Sequence, residues 1–289
     1  MTWVNAVVQG ILLGGLYALF ATGLSLMFGV MRIVNLAHGD LSVLAAFLAF
    51  ALIDALPLNA FATLVLVVPA MAALGWLLQR FVLQRSLGAG QLAPLLVTFG
   101  LSVVLQNVLL EVFSPDSRAL DIGGLGTAGL RLSGSVSVGW FGVLCLGIAI
   151  AVLVGLQLFL ARTAFGRAMR ATSDDQETVQ LMGIDHRRVY ATATAIAFAT
   201  LAVAGVLFGM RTTFDPSIGP ARLIFAFEAV IIGGLGSLWG TLAGGVVLGV
   251  AQTVGAQISP AYSILAGHLV FLAVLVLRPQ GILRPAAAR

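Results

Sequence analysis

Long apolar runs recur at residues 4–30, 41–56, 60–83, 92–113, 139–161, 190–210, 222–238, 241–257 and 261–277. A transmembrane helix needs about 20 mostly apolar residues, and these runs meet or approach that length. A membrane barrel would show short alternating segments instead, and the chain has none of that pattern. Only 9% of the 289 residues are charged, against roughly 25% in a soluble domain. With a mean hydropathy of +1.08, there is too little charge to cover a soluble surface. The sequence reads as an all-α polytopic membrane protein with about 8–9 transmembrane helices in one domain over 1–289.

All 15 basic residues are arginine. The excess of +4 reads as topology information rather than as a nucleic-acid footprint, because cytoplasmic loops collect positive charge. Arg32, Arg80, Arg85, Arg162, Arg167, Arg170, Arg187, Arg188, Arg278, Arg284 and Arg289 are assigned to the cytoplasmic side. Arg118, Arg131, Arg211 and Arg222 are left outside. That division requires residues 222–277 to cross three times, giving nine crossings, an external N-terminus and a cytoplasmic C-terminus. The run at 222–238 is short, contains Glu228 and ends in IIGGLGSLWG, so it also fits a broken or re-entrant segment. The Gly/Ser-rich stretch at 114–138 is expected to be an external loop, and 162–189 a cytoplasmic one. Arg32 follows the first apolar run instead of preceding it, which argues against a cleavable signal peptide. Cys145 is the single cysteine, so no intramolecular disulfide is possible.

Polar residues inside the apolar pattern need explanation. In RIVNLAHGDLSVLAAFLAF, Arg32, Asn35, His38 and Asp40 interrupt two apolar runs. Asp40 fits an N-cap for the following helix, with Gly39 supplying a turn and Asn35 satisfying backbone groups freed by the break. Asn35, His38 and Asp40 equally fit the lining of a polar path, and transporters place broken helices at such paths. Glu228 sits inside an apolar run, where an ionised side chain costs at least roughly 2.5–3.5 kcal/mol. It is a candidate for the pathway or gate, or for a structural hydrogen bond. His268 reads as an interhelical hydrogen-bonding residue. Gly236, Gly240 and Gly244 form a GxxxGxxxG series, joined by Gly245 with Gly249 and Gly10 with Gly14, and predict close helix packing. No set of residues has metal-ligand spacing or a nucleophile–base arrangement, so no catalytic or metal residue is assigned.

The segment SDDQETVQLMGID reads as a short helix over 174–182. Ser173 is the expected N-cap, with Gln176 completing a capping box. Asp174, Asp175 and Glu177 load the first turn with negative charge, and Gly183 is the expected stop. Val179, Leu181 and Met182 offer apolar contacts. The alternative is a helix lying on lipid; the acidic start favours a protein partner.

These blocks carry a family likeness. GLSLMFGVMRIVNLAHGDLSVLAAFLA resembles the N-terminal signature of the branched-chain amino acid ABC transporter permeases of the LivH type. GRAMRATSDDQETVQLMGIDHRRVYATATAIAFATLAVAGVL is similar to their cytoplasmic loop and following helix, IIGGLGSLWGTLAGGVVLG to their glycine block, and LRPQGIL to their tail. The Glu177-x5-Gly183 spacing resembles the EAA loop of ABC importers, which docks on the ATPase, with Thr178 and Val179 in place of two alanines. The resemblance implies an importer permease fold in an inner membrane, without catalysis or a cofactor on this chain. It implies ATP and Mg on two partner ATPase subunits, a second related permease and a periplasmic solute-binding protein. Branched-chain amino acids are the implied solutes; urea and short-amide permeases resemble the same blocks. A reading from a different class is a stand-alone ion-coupled transporter using Glu228 or Asp40, which has no need of the capped cytoplasmic helix.

Overall fold

The structure, a computed structural model, describes residues 2–90, 92–133 and 136–283. Arg284 and Arg289, on which part of the charge assignment rests, lie outside the described residues. The chain is helical almost throughout. Helices α1 (Thr2–Met31), α2 (His38–Ala55), α3 (Leu64–Leu78), α5 (Leu92–Phe113) and α6 (Trp140–Arg162) form the first part. A π-helical turn (Gln79–Leu83) and α4 (Gln84–Leu87) extend α3. A hairpin of β1 (Gly129–Ser133) and β2 (Val136–Gly139) precedes α6. Two short helices, α7 (Ala164–Asp174) and α8 (Gln176–Leu181), lead into α9 (His186–Arg211), α10 (Gly219–Gly233), α11 (Leu238–Ile258) and α12 (Tyr262–Leu277). Among the described residues, seven helical spans are long and apolar enough to cross a membrane; α10 and α12 are shorter, at 15 and 16 residues.

The bundle is built around α1 and α9, whose apolar cores are 83% and 78% buried, whereas α5 and α6 are 17% and 22% buried and form its periphery. Water cannot drive packing in lipid, so close backbone approach and hydrogen bonds take its place. Helix α11 runs antiparallel to α1, and a Cβ on Gly245 would lie 2.7 Å from the Gly14 carbonyl oxygen. Gly240 and Gly244 turn the other way and press against Gly233 and Ala229 of α10. The GxxxGxxxG expectation holds for only these two. Gly236 lies before α11, in the turn after α10, with a left-handed φ of 79°. Its absent side chain serves a turn, not a helix face.

Contacts group the connecting segments into two faces. On one, Arg118 pairs with Phe214 through two backbone bonds of 2.8 Å, and Gln9 of α1 donates to the Ser137 carbonyl. On the other, Ser173 donates to the Gly29 carbonyl at 2.6 Å, and the backbone N–H groups of Ile282 and Leu283 bond the ends of α10 at Ile232 and Gly233. The run at 222–238 is unbroken helix through Gly233 and then turns into α11; the break precedes it. A non-helical stretch, 212–218, brings the chain in from the first face, and α10 completes the passage to the second. The described end of the chain, through residue 283, shares a face with α7 and α8.

Candidate functional site

Helix α1 ends where Arg32 takes a left-handed φ of 54° and its N–H bonds the Phe28 carbonyl at 2.8 Å. The next residues return into the bundle without helical structure, and α2 begins only at His38. Irregular backbone at membrane depth survives where protein satisfies its polar groups. Here Asn35 Oδ1 accepts from the Ala37 N–H at 3.0 Å, the Asn35 carbonyl from the His38 N–H at 3.2 Å, and Thr98 Oγ1 on α5 from the Leu36 N–H at 3.1 Å. The break is thus closed by an Asx turn and by a neighbouring helix.

The side chains that follow are fully packed. His38 is 0% exposed, and its Nε2 lies 2.8 Å from the Phe20 carbonyl of α1. A carbonyl only accepts, so Nε2 carries the proton and donates, leaving Nδ1 without a partner among the described residues. Asp40 is 1% exposed and accepts from Ser102 of α5 at 2.5 Å. It is not the N-cap expected from the sequence. Ala37 holds that position without a side-chain bond, and Asp40 lies in the first turn, aimed across at α5. Its charge still has the favourable end of the helix dipole beside it. Gly39 does not make a turn either. It is helical, and a Cβ there would run into the Gly219 carbonyl at the start of α10. At Gly219 a Cβ would in turn meet the Asp40 carboxyl. The two half-helices therefore start against one another, and each glycine makes room for the other.

This meeting point reveals a repeat. Phe28, Gly29, Asn35 and Gly39 recur as Phe208, Gly209, Asp215 and Gly219, every one displaced by 180 positions. The hydrogen bonds recur as well. Asp215 Oδ1 accepts from the Ser217 N–H at 2.9 Å, and the Asp215 carbonyl accepts from the Ile218 N–H at 3.3 Å. Helix α1 reaches its break at one face and α9 at the opposite face, so the two units are inverted. Inverted repeats with discontinuous helices near mid-membrane are a recurring transporter architecture. Its trace in the sequence is three identities, Phe28/Phe208, Gly29/Gly209 and Gly39/Gly219, with the Asn35/Asp215 pair between them.

Glu228 of α10 is 3% exposed and bonds His268 of α12 through Oε1 and Nδ1. Among the described residues, its other oxygen has no hydrogen-bond partner. Nearby, Tyr17 donates to Gln252 at 2.5 Å, and the Arg222 guanidinium lies 4.4 Å from the ring centre of Phe208. Glu228 and Asp40 belong to different clusters: Asp40 is tied to α5, and Glu228 to α12. The sequence offered no pairing for Asp40; Ser102 and Thr98 sit in an apolar run and look unremarkable until α5 is packed beside the break.

On the face that holds Ser173 and the described end of the chain, α8 departs from the expected helix in its start. Asp175, not Ser173, is the N-cap: Oδ1 accepts from the N–H groups of Glu177 and Thr178 at 3.0 and 3.1 Å. Ser173 is used in the contact with Gly29, and Asp174 ends α7. The Thr178 hydroxyl and N–H both donate to the Asp175 carboxylate and hold it below the usual aspartate range. Gly183 stops the helix with a φ of 81°, and the Ile184 N–H reaches back to the Val179 carbonyl at 3.2 Å. Val179 is buried inward, while Leu181 and Met182 are 89% and 73% exposed. A cleft beside the helix is lined by Arg80, Gln180, Gly183, Asp185, His186 and Arg187.

Comparison with known proteins agrees with this architecture along the chain. A family model described as the branched-chain amino acid transport system / permease component matches residues 6–277. The high-affinity branched-chain amino acid transport system permease protein BraD of Pseudomonas aeruginosa is 32% identical over 293 residues, covering 97% of this chain and 95% of BraD. The corresponding LivH protein of Escherichia coli is 30% identical, covering 95% of this chain and 93% of its own. LivM of Escherichia coli, a second permease protein of the same description, is 27% identical and matches 93% of this chain with 68% of itself. With buried broken helices, an inverted repeat and a match spanning nearly every residue, this multi-pass membrane protein belongs to the branched-chain amino acid transport permease family.

Proposed function

We propose that this chain is the membrane-spanning subunit of an ATP-driven importer for branched-chain amino acids, working with a second, related permease, two ATPase subunits and an external solute-binding protein. No catalytic step is assigned to the chain itself; ATP hydrolysis belongs to the ATPases. The face bearing α7 and α8 is the cytoplasmic one, which agrees with its arginine content. BraD and LivH, named for branched-chain amino acids, support the solute class. Similarity to both LivH and LivM supports pairing with a relative.

The observation that carries this reading is α8. It is capped at its start, closed by a glycine and pinned by Val179, yet it presents Leu181 and Met182 to the outside. Exposed large apolar residues on a rigid polar-flanked helix mark a protein contact. An ATPase seated there would move α8, and α8 connects directly to α7 and α9. The test is co-purification of the ATPase subunits with Leu181→Glu and Gly183→Val variants. Both are expected to insert normally and to lose the ATPases. Full association in both would remove α8 as the coupling element. Uptake of labelled leucine into vesicles holding the complete assembly, with urea as competitor, tests the solute: urea is expected not to compete.

A further inference from the structure

Helices α5 and α6 are both peripheral, yet only α5 carries polar side chains through its centre. Between Val143 and Leu156, α6 offers only apolar residues, glycine and Cys145. Over the equivalent depth α5 has Thr98, Ser102, Gln106 and Asn107. Thr98, Ser102 and Gln106 are four apart and share one helix edge. Thr98 receives the Leu36 N–H, and one turn on a linked chain follows, in which Ser102 donates to Asp40 and Gln106 Nε2 donates to Ser102 at 3.2 Å. It starts among fully buried groups and ends at half-buried Gln106, beside exposed Asn107. Among the described residues, the second Asp40 oxygen, Oδ1, has no hydrogen-bond partner, although the carboxyl is buried; it is turned toward Gly219 at the start of α10. An amide edge facing hydrocarbon is disfavoured because lipid offers it no partner.

We propose that this edge of α5 is the wall of the translocation pathway, and that Asp40 is the acceptor for the ammonium group of a passing α-amino acid. The inference rests on the permease reading above and adds the solute-facing residues to it. Without solute, Asp40 is occupied by Ser102. An ammonium group brings three donors and takes over Oδ2 from the Ser102 hydroxyl, while Oδ1 stays against Gly219. Ser102 and Gln106 then turn to the pathway, whose far wall is the second permease. Among the described residues, α5 packs mainly on α2 and the end of the α3 arm, so it can adjust without disturbing the α1–α9 centre.

The test needs neither ATP nor solute, so its outcome is independent of whether import is ATP-driven. In a Cys145→Ala background, single variants Ser102→Cys and Gln106→Cys on α5, and Ile150→Cys and Val154→Cys on α6, are placed in membrane vesicles. Each is treated with a trimethylammonium thiol reagent and with a neutral one of similar size. Both α5 positions are expected to react, and both α6 positions to stay unreactive. Adding Asp40→Asn to Gln106→Cys is expected to lower the cationic-to-neutral rate ratio several-fold. Equal reactivity at 106 and 150 would overturn the pathway assignment. Reaction at 106 with an unchanged ratio would overturn the role of Asp40.

Discussion

The two breaks of the inverted repeat share their hydrogen bonds and differ in their surroundings. In the first, Asn35, Ala37 and His38 are buried, and α5 supplies an extra acceptor through Thr98. In the second, Thr212, Thr213 and Ser217 are exposed, and the Asx turn of Asp215 is open at its surface. The local motif is the same; what fills the space around it is not. An amide serves where no water reaches, because it accepts a hydrogen bond without the cost of burying a charge. A carboxylate serves where water does reach. The residue type at the turn thus reports which break is sealed.

The largest effect should come from the glycines at which the breaks meet. Gly39→Leu and Gly219→Leu are each expected to prevent folding, seen as loss of membrane-inserted, monodisperse protein. The alanine variants divide the pair. At Gly39 the first obstacle is the Gly219 backbone carbonyl, which cannot move aside; at Gly219 it is the Asp40 side chain. Gly39→Ala should therefore lower the thermal midpoint in detergent more than Gly219→Ala. The reverse order would mean that the two breaks are not held together as described.

A smaller effect distinguishes the turns themselves. Asn35→Ala leaves the buried Ala37 N–H without an acceptor, a loss of about 1–3 kcal/mol. Asp215→Ala leaves an N–H that water can reach and should cost about 1 kcal/mol or less. The two denaturation midpoints check this, and equal losses would erase the sealed-versus-open contrast. The smallest effect concerns a third Asx group, Asp175, which caps α8 entirely in water. Its carboxylate is held below its ordinary value in the folded state, so the cap's contribution is complete above the ordinary value. It fades as pH falls through the lowered value. Amide exchange at Glu177 and Thr178, corrected for intrinsic rates, should show constant protection from pH 7 to about pH 5 and a loss only below about pH 4. A loss already at pH 6 would show that Asp175 is not the group responsible.

Much of this fold was legible in the residues. Long apolar runs at 4–30, 92–113 and 139–161 can only be helices in lipid, because no other open structure satisfies its own backbone there. The stop at Gly183 and the exposure of Leu181 and Met182 were also readable, since both are decided within one helical turn. The start of α8 was misplaced by two residues because Ser173, Asp174 and Asp175 are all good caps. The choice was made by Gly29, 144 positions away, which takes the Ser173 hydroxyl. Asp40 was misread for a similar reason. Its sequence neighbours suggest a cap, and its actual partner, Ser102, is 62 positions distant.

The sequence by itself determined that this chain spans a membrane many times, that its backbone leaves the helix between Arg32 and His38, and where a short capped helix stands. These follow from local spacing and from solvent chemistry acting on each residue in turn. Only the tertiary structure decided that Gly39 and Gly219 make room for each other and that Asp40 ties α2 to α5. It also decided that Glu228 pairs with His268, and that the first break is sealed while the second lies open. Each of these is a contact between segments far apart in the chain. In lipid such contacts depend on backbone approach and hydrogen-bond partners, which no window of sequence contains.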